Sequence, residues 1–201
     1  ADWISESFPG QFRNWFYSLI TMSTVLEDTA PTGTVFSYAL MRDETGEEMH
    51  KSAGTAIWFE DAAEKIGVDA MRWVFARQEP AANINFGYGS ADEVRRRFII
   101  PLWNVYSFLV TYANIDRYDP ATPAPDVSER AELDRWIISE LNLLVADVTR
   151  SLEDFEPQNA ARSSEALVES LSNWYVRRSR RRFWKSGLLD KPDGGADRDT
   201  L

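Results

Sequence analysis

Cysteine is absent from the chain, and histidine occurs once, as His50. The first absence excludes disulfides, thiolate metal sites and a cysteine nucleophile, and it fits a reducing, cytoplasmic setting. The second argues against a histidine-built metal cluster or a Ser-His-Asp triad, so no metal site is expected. No run of 18 apolar residues occurs, so no membrane-spanning segment is expected. The opening ADWISESFPG has no basic stretch followed by an apolar one, which excludes a secretory signal. It also lacks an initiating methionine and opens directly in structured-looking sequence, so the chain reads as a piece of something longer. Basic residues are in the minority: 22 Lys and Arg face 32 Asp and Glu, for a net charge of −10. The sum argues against a nucleic-acid partner. The C-terminal part is nevertheless locally very basic, and local charge can outweigh the sum.

What is present is enough apolar material for a core: 44% of 201 residues, sufficient for one large domain or two small ones. Residues 4–8 read as a short strand and Pro9-Gly10 as a turn. Phe12, Trp15, Phe16, Leu19, Ile20 and Met22 recur near helical spacing, which predicts a helix from Gln11 to about Leu26. TVFSYALMR (34–42) is rich in β-formers and predicts a strand, and DETG (43–46) a turn. Phe59, Ala62, Ala63 and Ile66 predict a short amphipathic helix ended by Gly67. Asp69 is placed to cap a second helix to about Gln78, and 79–89 reads as a loop.

From Ser90 the pattern changes. Ser90 and Glu93 have capping-box spacing. Val94, Phe98, Leu102, Val105, Tyr106, Leu109 and Ala113 form a long stripe, with Pro101 expected to kink or split it. Pro120 to Pro125 form a linker. A second stripe runs from Leu133 to Leu152, and Pro157 and Asn159 introduce a third helix over 160–185. The tail from Gly187 reads as disordered. The first 80 or so residues therefore look α/β and the rest all-helical, with a boundary in 80–90.

Three stretches combine residues with chemical potential. Glu47–Gly54, reading EEMHKSAG, follows a strand and a Gly-containing turn and precedes a helix. Lys51 is a mobile cation, Ser52 adds a hydroxyl, and Gly54 permits close backbone approach. These are the parts needed to neutralise a polyphosphate leaving group, although GxxxxGK[ST] is absent. A solvated surface loop is the competing reading. The second stretch is NWYVRRSRRRFW (173–184) with the lysine that follows it: Arg177, Arg178, Arg180, Arg181, Arg182 and Lys185 fall within nine positions. At 100° per residue Arg178 and Arg182 share the face of Leu167, Leu171, Trp174 and Tyr175. Arg177 and Arg181 flank that face. Contact with RNA through phosphates and stacking is one reading; pairing with an acidic neighbouring helix is the other. Third, Gln11, Arg13 and Trp15 gather at a strand-to-helix junction, where anions and ligands bind in parallel α/β sheets. Trp15 can wall an apolar pocket or serve as an aromatic core anchor.

Taken in order, these stretches resemble the class I aminoacyl-tRNA synthetases, and among them the isoleucine enzymes. MHKSAG resembles the KMSKS loop, with Glu48, Met49, His50, Lys51 and Ser52 at its five positions. GVDAMRWVFA (67–76) is similar to the GADALRWY segment that follows that loop. QFRNWF (11–16) resembles QxRGWF of the catalytic domain, and NWYVRRSRRRFW the signature helix of the anticodon-binding domain. The similarity covers residues 1–186.

The resemblance implies a Rossmann-like catalytic segment over 1–85 and an anticodon-binding helical bundle over 86–186, followed by a tail at 187–201. It implies ATP and Mg2+, isoleucine and tRNA(Ile) as ligands and partners, with a missing N-terminal half of the same enzyme. Lys51 and Ser52 would be catalytic, and Met49, His50 and Gly54 would join them around ATP. Gln11 and Trp15 would lie beside the amino acid or adenylate. Arg177, Arg178, Arg181 and Arg182 would be candidates for tRNA contact. The chain departs from the family pattern at Glu48, where lysine is usual, and at His50, where serine is usual. Gly10, Asn14 and Tyr38 replace the usual aspartate, glycine and histidine. No HIGH motif is present, so the isolated chain is expected to be unable to form adenylate. A non-catalytic RNA-binding module, or a valine or leucine enzyme, are the alternatives.

Overall fold

The computed structural model describes residues 1–7 and 10–183. Strand β1 (Trp3–Ser7) pairs in parallel with β2 (Thr34–Tyr38), with Trp3 opposite Thr34 and Ser7 opposite Tyr38. Between them runs α1 (Tyr17–Glu27), which completes a β–α–β unit. Gly33 lies where its missing Cβ would come 3.1 Å from the Asp2 carbonyl oxygen, so a side chain there would push the strand ends apart by a few tenths of an ångström.

The segment expected to be one strand over 34–42 is two. Strand β3 (Met41–Arg42) leaves β2 after Tyr38 and pairs in parallel with β4 (Ile84–Asn85), a strand inside the stretch expected to be a loop. Strands as short as two residues leave no period to read. Between β3 and β4 lie α2 (Phe59–Lys65) and α3 (Val68–Arg77). Gly67, at φ +89°, ends α2 and serves as N-cap of α3, the role expected of Asp69. Ala62, Ile66, Ala70, Met71, Val74 and Phe86 are buried here, and Phe75 stacks on Phe86 at 5.4 Å. Phe59, expected on the buried face of α2, is 61% exposed.

Compact units divide at Glu93 and Val94. The helix over that stretch starts earlier than Ser90: α4 (Tyr88–Val94), a wide turn Arg95–Ile99 and α5 (Ile100–Ile115) form one 28-residue helix. Pro101 does not end it: the proline follows directly on the wide turn, which relaxes the backbone where its ring and missing N–H would otherwise break the pattern. By length and composition this helix could cross a membrane, a looser criterion than an unbroken apolar run and one that core helices also meet.

Within the second unit, α6 (Glu132–Glu153) packs against α7 (Pro157–Ser170). Pro157 stands in the first turn of α7, as expected. The third helix expected over 160–185 is continuous through the described residues: α7 passes through a wide turn, Leu171–Val176, into α8 (Arg177–Phe183), with helical backbone at both junctions. Phe183 meets Phe108 and Tyr112 of α5 with ring centroids 4.9 and 5.6 Å away, closing the helical core. Pro9 of the expected turn, the end of the expected helix and the tail 187–201 lie outside the described residues.

Candidate functional site

The loop containing Lys51 is built from its two ends. At the entry, the Asp43 carboxylate accepts hydrogen bonds from the Thr45 amide at 2.9 Å, its hydroxyl at 2.7 Å and the Glu47 amide at 2.9 Å. The Thr45 hydroxyl, then the Glu47 amide, hold the Asp43 carboxyl below its ordinary value. Gly46, at φ +88°, makes the turn, and Arg42 Nη1 donates to its carbonyl at 2.8 Å. At the exit, the Thr55 hydroxyl accepts from the His50 amide at 2.9 Å and donates to the His50 carbonyl at 3.4 Å.

Between these ends Lys51–Ala53 form a single 3-10 turn closed by Gly54 at φ +70°. Lys51 and Ser52 are exposed. The Lys51 ammonium lies 5.0 Å from the centroid of the Trp58 ring, a cation–π contact. His50 Nε2 lies 3.5 Å from the Glu48 carboxylate, both half exposed or more. The two residues that depart most from the KMSKS pattern therefore face each other, and Lys51 is the one Lys or Arg of the loop.

Gln11 and Trp15 share a second cluster, after the carboxyl end of β1. The helix expected from Gln11 starts as an irregular wide turn, Phe12–Phe16, with Asn14 at φ −101° and ψ −124°. Asn14 Nδ2 donates to Gln11 Oε1 at 3.0 Å, so the residue standing where the family has glycine occupies the acceptor of Gln11. The Trp15 indole N–H donates to Glu6, which is buried at the end of β1 and also accepts from the Ser7 amide at 2.7 Å. Trp15 is 43% exposed, so it stands at the rim of this junction rather than in the core.

The basic segment does not act as one group. Arg182 donates from both terminal nitrogens to the two carboxylate oxygens of Asp134, at 2.7 and 2.8 Å. Asp134 is 1% exposed, and the Tyr175 hydroxyl donates to it at 2.8 Å. Burial first, then the Asp134 carboxylate, push the Tyr175 phenol well above its ordinary value. The Arg178 guanidinium carbon lies over Trp174, 3.7 Å from the ring centroid, with both residues exposed. Arg177 and Arg181 are also exposed. The internal-pairing reading thus describes Arg182, whose acid is Asp134 in the first turn of α6.

Asp134, Tyr175, Glu6, Thr55 and Trp58 were not among the candidate residues. Asp134 did leave a signal: it shares a helical face with Ile137, Ile138 and Leu141, where an acid needs a partner. Among the described residues no group of three or more His, Asp and Glu is arranged to hold a metal ion.

Two family models match the chain: tRNA synthetases class I (I, L, M and V) over residues 1–87, and the anticodon-binding domain of tRNA ligase over 134–197. An isoleucine–tRNA ligase of Dehalococcoides mccartyi is 47% identical over 187 residues, covering 92% of this chain and 18% of that protein. Isoleucine–tRNA ligases of Deinococcus radiodurans and Thermus thermophilus are 42% and 41% identical, over 93% and 92% of this chain and 17% and 18% of theirs. The chain thus spans under a fifth of the length of these curated relatives. The crystal structure of the ternary complex of Agrobacterium radiobacter K84 agnB2 LeuRS-tRNA-LeuAMS matches with a TM-score of 0.62 at 18% identity. That match covers 78% of this chain and 20% of the other, and at this identity it speaks for the fold alone.

Proposed function

Because the chain belongs to the class I aminoacyl-tRNA synthetases, as a segment of the isoleucine–tRNA ligase type, we propose that it supplies the phosphate-neutralising loop and the first tRNA-binding helices of an ATP-dependent isoleucine–tRNA ligase. In this reading residues 1–85 are the C-terminal part of a Rossmann-like catalytic domain and 86–186 the start of an anticodon-binding bundle. The enzyme works in the cytoplasm on isoleucine, ATP and tRNA(Ile).

The observation that carries the reading is the placement of Lys51. Its ammonium is exposed on a single turn held at both ends by side-chain hydrogen bonds. In the first step an isoleucine carboxylate oxygen attacks the α-phosphorus of ATP. The bond from that phosphorus to the bridging oxygen breaks, and the electron pair leaves with pyrophosphate. Lys51 offsets the charge gathering on those oxygens, and the Ser52 hydroxyl and loop amides add donors. The transition state gains more from that cation than the ground state does, so the effect falls on the rate. In the second step a hydroxyl of the terminal ribose of tRNA attacks the aminoacyl carbonyl, the bond from that carbonyl to the phosphate oxygen breaks, and AMP leaves. Gln11 and Trp15 border the amino-acid and adenylate end. Mg2+ enters with ATP as part of the substrate; the described residues offer it no carboxylate cluster, and no step is assigned to it.

Amino-acid-dependent ATP–pyrophosphate exchange by the enzyme carrying this segment tests the proposal. Exchange with isoleucine well above valine and leucine is the expected result. Preference for valine or leucine would move the segment to a neighbouring specificity, and a lack of exchange with all three would favour a non-catalytic RNA-binding module.

A further inference from the structure

We propose that Glu44 is a positioning residue: it fixes the Glu47–Gly54 loop by docking the turn that leads into it onto the backbone of Ser90. Glu44 Oε1 accepts a hydrogen bond from the Ser90 amide at 2.8 Å, across 46 residues of sequence. Two glycines make room for the carboxylate. A Cβ on Gly87 would run into Glu44 Cγ and Cδ, and one on Gly89 would lie 2.7 Å from Oε1. Neither glycine is among those with positive φ. Glycine at both positions therefore leaves the space the Glu44 carboxylate occupies; a side chain at either would displace that carboxylate and not the backbone.

The docking reaches the loop because the turn is stiff. Asp43 receives three hydrogen bonds from Thr45 and Glu47 through its side chain, and the Gly46 amide donates to its carbonyl at 3.0 Å. The Asp43 amide in turn donates to the Glu47 carbonyl at 2.9 Å. Holding Glu44 thus holds Glu47, four residues before Lys51. The expected capping box assigned this end of the helix to Ser90 and Glu93. The structure instead brings the acid for the Ser90 amide from the turn beside the loop, while the Ser90 hydroxyl and Gly87 satisfy one another.

The consequence for catalysis rests on the reading of Lys51 given above; the anchor itself does not. Amide hydrogen exchange on the 201-residue chain tests it with three variants. Glu44→Ala removes the acceptor, Gly87→Ala expels the carboxylate sterically, and Glu44→Gln keeps an acceptor of the same reach. We expect Glu44→Ala and Gly87→Ala to speed exchange of the Ser90 amide about tenfold, the loss of one charge-assisted bond. They speed the 47–54 amides several-fold, with α2 and α3 unchanged, and Glu44→Gln restores slow exchange at both places. Faster exchange at Ser90 with an unchanged loop would make Glu44 a plain helix cap and overturn the proposal. So would an equal loss of protection across the whole unit. Lys51→Ala leaves this pattern intact, so failure of the phosphate reading shows in pyrophosphate exchange and not here.

Discussion

Arg182 and Asp134 form a two-pronged ion pair, with the carboxylate buried and Tyr175 donating a third hydrogen bond to it. The pair ties α8 to the first turn of α6, 48 residues away. Removing either partner strands a buried charge, which costs about 3–5 kcal/mol in comparable cases. We expect Asp134→Ala and Arg182→Ala each to lower unfolding stability by about 3 kcal/mol, and the double variant to cost less than their sum. Urea denaturation of the four chains measures this, and additive losses would mean the two groups do not act together.

Tyr175 gives this cluster a pH dependence. Its phenol is raised above the ordinary value of about 10. A group whose folded value is raised contributes stability that is fully present below its unfolded value, and that contribution is lost as pH rises toward the folded one. The stability difference between the natural chain and Tyr175→Phe is therefore constant below about pH 10 and shrinks above it. Thermal midpoints from pH 7 to 11 provide the comparison. A difference that grows with pH would contradict the assignment.

The division of the basic run predicts different phenotypes within one helix. Arg178, which lies over exposed Trp174, and the exposed Arg177 and Arg181 are the arginines we propose for tRNA contact. Arg178→Ala is expected to weaken tRNA binding and to reduce the slope of log affinity against log salt by about 0.7–0.9, one phosphate contact, at unchanged stability. Arg182→Ala acts through stability instead. Binding titrations at several salt concentrations separate the two.

Residues 1–201 contain no HIGH motif. The purified chain alone is accordingly expected to show no isoleucine-dependent ATP–pyrophosphate exchange above a Lys51→Ala control. Exchange clearly above that control would show that this segment binds and activates ATP unaided.

The sequence made the longer periodic elements legible. The helices at 59–65, 68–77 and 132–153 follow from spacing and the strands behind Gln11 and Trp15 from β-propensity, while their parallel pairing was implied by the family resemblance. Most of the misses share a cause: contacts remote in sequence decided them. Leu40 and Arg42 pair with residues near Ile84, which split the expected strand. Glu44 took the role expected of Glu93. Pro101 was absorbed by a wide helical turn that propensity does not signal. In the site, the Lys51 loop was visible as a string of residue types, but its braces at Thr55 and Trp58 were not. The basic run was visible as charge; that Arg182 faces inward required the position of Asp134.

The central claim concerns Lys51, and its most direct test is the rate of isoleucine-dependent ATP–pyrophosphate exchange in the enzyme carrying this segment with Lys51→Ala. Loss of a preorganised cation on the leaving group is worth about 3–4 kcal/mol, so kcat should fall about 100- to 1,000-fold while the KM for isoleucine changes little. A kcat within about twofold of the natural enzyme, at equal folded fraction, would contradict the account.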